Sequence, residues 1–157
     1  MSLRIGMIAP ISHPCPSPAY CAWERATHDL TEELVGAGVD VTLFAPEGSV
    51  TSARLVATVP QPLSEAPELN PRLQEQDHIA RAMEMAVHGI FDVVHSHLHV
   101  HALGFARLIP SPLLTTLHGA GWDASHHSLL RRYADLPFVA LSSQERSFLP
   151  ELNYVAT

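Results

Sequence analysis

LRIGMIAPISHPCPSPAYCAWERATHDLTEELVGAGVDVTLFAPEG, residues 3–48, decides the fold class. Its first segment, Leu3–Ala9, is almost wholly apolar, the pattern of a strand buried on both faces of a parallel sheet. Pro10 to Pro18 is too rich in proline for regular structure and reads as a turn. From Trp23 the period changes: Trp23, Ala26, Leu30 and Leu34 recur at helical spacing among Glu24, Arg25, Asp29, Glu32 and Glu33. Trp23 reads as the first core anchor of this helix, which Gly36 and Gly38 terminate. Val39–Ala45 is a second apolar strand, followed by a turn at residues 46–49. A strand, loop, helix and strand in this order open a doubly wound α/β sheet.

The rest of the chain extends that unit. Arg54–Val59 is a third strand, and Pro60, Pro62, Pro67 and Pro71 mark a surface excursion. Ile79, Met83, Ala86 and Val87 carry a helix that Gly89 closes. Phe91–His95, Leu113–Leu117, Phe138–Leu141 and the start at Tyr154–Thr157 are strands. His101–Leu108, Ser125–Tyr133 and Gln144–Leu149 are the helical segments between them, with Asp123 and Ser125 as a helix-start signal. The 157 residues fit one domain, and 46% hydrophobic against 16% charged residues is a globular balance. The last apolar run has no closing turn, so residues 1–157 are expected to be one domain of a longer protein.

Nine Lys+Arg against sixteen Asp+Glu give a formal charge of −7, which argues against nucleic acid or an anionic membrane as the main partner. No stretch approaches the roughly 20 apolar residues of a membrane span. Cys15 and Cys21, close together in one loop, read as free thiols, with a short disulfide between them as the alternative, and the cytoplasm is the expected compartment.

A sheet of this kind raises the question of a dinucleotide, whose fingerprint is a glycine-rich first turn and an acid ending the second strand. The first turn, Pro10-Ile11-Ser12-His13-Pro14, has no glycine, and Leu43-Phe44-Ala45 ends without an acid. Both parts fail, which argues against a nicotinamide-dependent dehydrogenase. The geometric rule survives: ligands sit outside the carboxyl ends of the strands. There lie residues 10–22, 45–52, 95–101, 118–123 and 142–145.

At this point several segments resemble retaining family 4 glycosyltransferases. Arg4-Ile5-Gly6-Met7-Ile8-Ala9-Pro10 resembles their first strand, and Gly38-Val39-Asp40-Val41-Thr42-Leu43-Phe44-Ala45 their second. Phe91-Asp92-Val93-Val94-His95-Ser96-His97, Thr115-Thr116-Leu117-His118-Gly119 and Phe138-Val139-Ala140-Leu141-Ser142 resemble three later strands and their ends. Ala19-Tyr20-Cys21-Ala22-Trp23-Glu24-Arg25 stands where the family has a glycine-rich turn. The resemblance implies a Rossmann-like doubly wound sheet forming one half of a GT-B architecture. It implies an N-terminal domain facing the acceptor, with a second, donor-binding domain outside this chain. The implied reaction moves a sugar from a nucleotide-sugar donor to an acceptor hydroxyl with retention, without an obligatory metal or other cofactor.

It also implies site residues. His118 would lie near the reacting sugar as the catalytic group, with Gly119 allowing close backbone approach. Tyr20, Cys21, Ala22, Glu24 and His97 would contact substrate. Where the family's glycines admit a diphosphate, Ala19, Cys21 and Ala22 add a Cβ, which counts against phosphate contact there. Plain structural roles stand beside these. Glu24 complements a helix dipole, His118 can satisfy local backbone, and Arg131-Arg132 are a solvated helix face. His95, His97, His99 and His101 alternate and would share one face of an extended strand, but the strand is expected to end near His97. A histidine-rich metallohydrolase and a degenerate, non-catalytic glycan- or partner-binding module are the rival readings.

Overall fold

The computed structural model describes residues 2–19, 21–119 and 124–157; Tyr20 and Asp123 lie outside the described residues. Seven strands form one sheet: β1 (Arg4–Ile8), β2 (Asp40–Pro46), β3 (Arg54–Val59), β4 (Val93–Ser96), β5 (Leu113–Leu117), β6 (Phe138–Ala140) and β7 (Tyr154–Ala156). Every neighbouring pair is parallel, in the order β3-β2-β1-β4-β5-β6-β7. The helices are α1 (Ala22–Gly36), α2 (Pro71–Ala86), α3 (Ala124–Arg132) and α4 (Ser143–Phe148). The expected Rossmann-like parallel α/β sheet is what the chain forms, and β3 has the bounds read from the sequence.

The unbroken apolar runs follow from burial on both faces. Ile5, Met7 and Ala9 share one face with Val41, Leu43 and Ala45, packed by Leu30, Leu34 and Val35 of α1. Ile8, Phe44, Val94 and Leu117 join the other cluster, with Ile79, Ala82, Met83 and Ala86 of α2. Gly6 has a packing reason: a Cβ there would stand 2.9 Å from the Phe91 ring.

Three expectations need correction. Pro71 does not belong to the surface excursion; it opens α2, with the Asn70 side chain accepting the Arg72 and Leu73 N–H groups. Pro at a first helical position loses no hydrogen bond, because that N–H has no helical partner. Residues 101–108 make only a 3-10 turn at Leu103–Phe105. The buried seam of α1 is Glu24, Thr27 and Thr31, so Trp23 faces outward rather than anchoring the core.

One buried polar residue fixes α2 to the sheet. His78 Nε2 donates to the Ala9 carbonyl at 2.9 Å, which leaves Nδ1 to accept from the Thr58 hydroxyl at 2.6 Å. Burial pushes its pKa down to about 4, so the ring is held neutral. Among the described residues no helix is long and apolar enough to cross a membrane.

Candidate functional site

Strand order reverses between β1 and β4, where the connections leave the sheet in opposite directions and open a crevice. A hollow of about 200 Å³ lies there, lined by Pro10 and Ser12 after β1, His99 and His101 after β4, and Trp23 and Glu24 from α1, with Glu75 of α2 at its side.

The histidines of this edge form a connected group. His97 N donates to the Ile8 carbonyl at 3.0 Å, continuing the strand pairing by one residue beyond β4. The pleat therefore sets the His95 and His97 rings on one face, their centroids 4.5 Å apart. His95 Nε2 meets the Thr116 hydroxyl of β5 at 2.7 Å. His97 Nδ1 meets His118 Nε2 at 2.8 Å, and the other nitrogen of His97 is buried with no hydrogen-bond partner among the described residues. The shared face ends at His97, as the sequence suggested: His99 turns the chain with φ +51 and His101 swings away to pair with Glu75. His99 nevertheless rejoins the group. Its ring stands edge-on to Trp23 at 4.5 Å and 6.3 Å from His118.

Burial dominates the electrostatics. It pushes the pKa of His95, His99 and His118 down to about 4 and that of His97 well below the ordinary imidazole range. Neighbouring imidazoles reinforce this, since a second charge in the group would repel the first. His101 moves the other way, raised by its hydrogen bond to Glu75. Among the described residues no three His, Cys, Asp or Glu side chains converge as a metal site.

Trp23 belongs to this site. Its ring lies at 5.4 Å and 30° over His118, and the residue stays 40% exposed. Glu24 takes the first buried position of α1, which turns Trp23 off the core side. Glu24 is only 4% exposed and lines the hollow. Cys21 caps α1 in an extended conformation, φ −126 and ψ 100, and Ala22 is exposed beside it. Neither has the left-handed backbone for which glycine would be needed. Cys15 and Cys21 are free. Cys15 is buried, its thiol donating to the Glu24 carbonyl at 3.3 Å, and burial raises its pKa to about 12.

Gly119 follows His118 with φ +127, a backbone region that favours glycine. Its N–H donates to Glu145 Oε1 at 3.0 Å, while Glu145 Oε2 accepts the Leu141 N–H at 2.6 Å. Burial raises the Glu145 carboxyl and these two bonds pull it back. Glu145 thus holds the backbone beside His118, a role the sequence reading did not assign. Its signal is the helix-start pattern Ser142-x-x-Glu145, in which the Glu145 N–H donates to Ser142 Oγ at 3.1 Å while the carboxylate reaches past Ser142 to the Leu141 N–H. His118, Gly119, His97, Glu24, Cys21 and Ala22 thus lie along the same carboxyl edge of the sheet or at the start of α1. Tyr20 lies outside the described residues.

Against this geometry, the family model described as Glycosyltransferase Family 4 matches residues 23–152, from the first turn of α1 to just before β7. A search of curated proteins finds no significant match.

Proposed function

From the premise that the chain belongs to glycosyltransferase family 4, we propose that it is the N-terminal, acceptor-side half of a GT-B enzyme. The enzyme moves a sugar from a nucleotide-sugar donor to an acceptor hydroxyl, with retention and without an obligatory metal. The observation that carries this reading is His118: a buried, neutral imidazole at the end of β5, linked to His97 and lying under Trp23. In that state it can hydrogen-bond the transferred sugar without adding charge to the site. Gly119, Glu24, Cys21 and Ala22 border the reacting groups in this proposal, and Tyr20 is retained as an acceptor contact on the strength of the resemblance alone.

Stabilising the departing diphosphate is electrostatic work. No arginine lines the hollow, and Glu24 occupies the start of α1, so that work falls to a second, donor-binding domain. Free thiols agree with a cytoplasmic setting.

The test is sugar transfer by the intact gene product from a panel of nucleotide sugars, with the anomeric configuration of the product read by NMR. Transfer with retention, insensitive to chelator and reduced roughly a hundredfold or more by His118→Ala, is the expected result. A second reading, a degenerate glycan-binding module, is favoured by the side chains at Cys21 and Ala22, where a diphosphate would need glycine. Saccharide binding without transfer from any donor would select it.

A further inference from the structure

The hollow at the switch point is acidic in a particular way. Glu24 is 4% exposed, lines it, and has no hydrogen-bond partner for its carboxyl group among the described residues. Its carboxylate oxygens are not among the fully buried, unpartnered atoms of the described residues, so they are open to the hollow, where they accept from a hydroxyl or N–H that enters. Glu75 reaches the same space from α2 with one oxygen bound to His101. All nine cations of the chain are arginines, and none lines this hollow. An outer groove of about 510 Å³ that shares Glu75 and His101 with it is lined by Arg72. One wall is the indole of Trp23, which lies over His118, is met edge-on by His99 and is otherwise 40% exposed.

An apolar aromatic face beside two hydroxyl acceptors, in a space that fits one six-membered ring, defines a ligand class. We infer that this hollow seats an uncharged, polyhydroxylated ring, its C–H face against Trp23 and its hydroxyls donating to Glu24 and Glu75, and that it rejects the phosphorylated form of the same ring. That the ring is the acceptor rests on the glycosyltransferase reading; the binding preference does not. A phosphate ester brings a charge of about −2 into a space with two carboxyl groups and one imidazole already engaged by Glu75.

The experiment is an NMR titration of this chain with glucose, galactose and mannose and with the 6-phosphate of each. At least one neutral hexose should shift the Ser12, Glu24 and His99 amides and the Trp23 indole with millimolar affinity. Its 6-phosphate should bind about tenfold more weakly, or worse. Glu24→Gln, close in volume, should narrow that gap, and Trp23→Ala, at an exposed position, should abolish binding of both forms. Equal or tighter binding of the phosphate, no response to any hexose, or binding unchanged by Trp23→Ala overturns the inference. Failure of sugar transfer by the gene product overturns the glycosyltransferase reading and leaves the binding ratio standing. Transfer onto a phosphorylated ring held by Trp23 and Glu24 does the reverse.

Discussion

His97 Nδ1 and His118 Nε2 stand 2.8 Å apart, two buried imidazoles with one proton between them. If His97 donates, His118 carries its own proton on Nδ1; if His118 donates, its Nδ1 is a bare acceptor. The tautomer of His97 therefore decides whether His118 offers a donor or an acceptor to a ligand. His97→Leu removes that control, and His97→Asn keeps a polar group near the position of Nδ1. The expected outcome is a loss of kcat of roughly ten- to a hundredfold for Leu, partly recovered for Asn, with the donor KM little moved. Long-range nitrogen–proton NMR of the His118 ring should show a changed tautomer in the Leu variant. An unchanged ring spectrum together with unchanged kcat would sink the idea.

Gly119→Ala separates conformation from crowding. A Cβ there meets nothing within 4 Å, so space is available and only the backbone at φ +127 objects. The expected cost is about 1–3 kcal/mol of stability, or a local shift of residues 118–119 that relieves it. Thermal melting measures the first and amide shifts near His118 the second. A variant with wild-type melting and wild-type shifts would show that the left-handed backbone is not required.

The sheet was legible because its inner strands β1 and β2 are buried on two faces, so residues 3–9 and 39–45 read as unbroken apolar runs. The site was legible only at its named chain positions. Trp23 was misread because helical periodicity does not say which side of the stripe is inward; Thr27 and Thr31 are fully buried with Oγ1 bonded to the Trp23 and Thr27 carbonyls, which lets hydroxyls sit on the core side. The return of His99 to the histidine group depends on one positive φ, which no spacing rule foresees. His78 and Glu145 bind backbone groups 69 and 26 residues away in sequence, and partners that distant are not readable locally, even where Ser142-x-x-Glu145 marks a helix start.

Glu145 supplies the next test. Its two oxygens satisfy the N–H groups of Gly119 and Leu141, which tie the end of β5 to the end of β6. Glu145→Ala leaves both donors unmet, while the backbone N–H of residue 145 keeps its bond to Ser142 Oγ. A loss of about 1–3 kcal/mol is expected, seen as a lower midpoint in urea. Amide exchange at Gly119 should quicken, because its acceptor is gone. Protection at Gly119 equal to wild type would mean that another group holds that N–H.

The buried histidines set the response of the fold to acid. His78, His95, His99 and His118 have pKa values near 4 in the folded chain, against 6.5 for a free imidazole, and His97 lies lower still. Between these limits the unfolded chain binds more protons than the folded one, so stability rises with pH. The full stability is present above about pH 7, begins to fall as pH drops through 6.5, and is lost progressively toward 4. His101 works against this trend, because Glu75 raises its pKa, but it is half exposed and its contribution is small. His78 is fully buried, and its share over the window is on the order of 3 kcal/mol. His78→Gln should lower stability near neutral pH, since the Ala9 carbonyl and the Thr58 hydroxyl lose the ring that joins them. It should also flatten the pH dependence by about one proton. Urea unfolding followed from about pH 7 to pH 5 measures both. A wild-type midpoint that does not move over that range would show that these imidazoles take up protons without unfolding the chain.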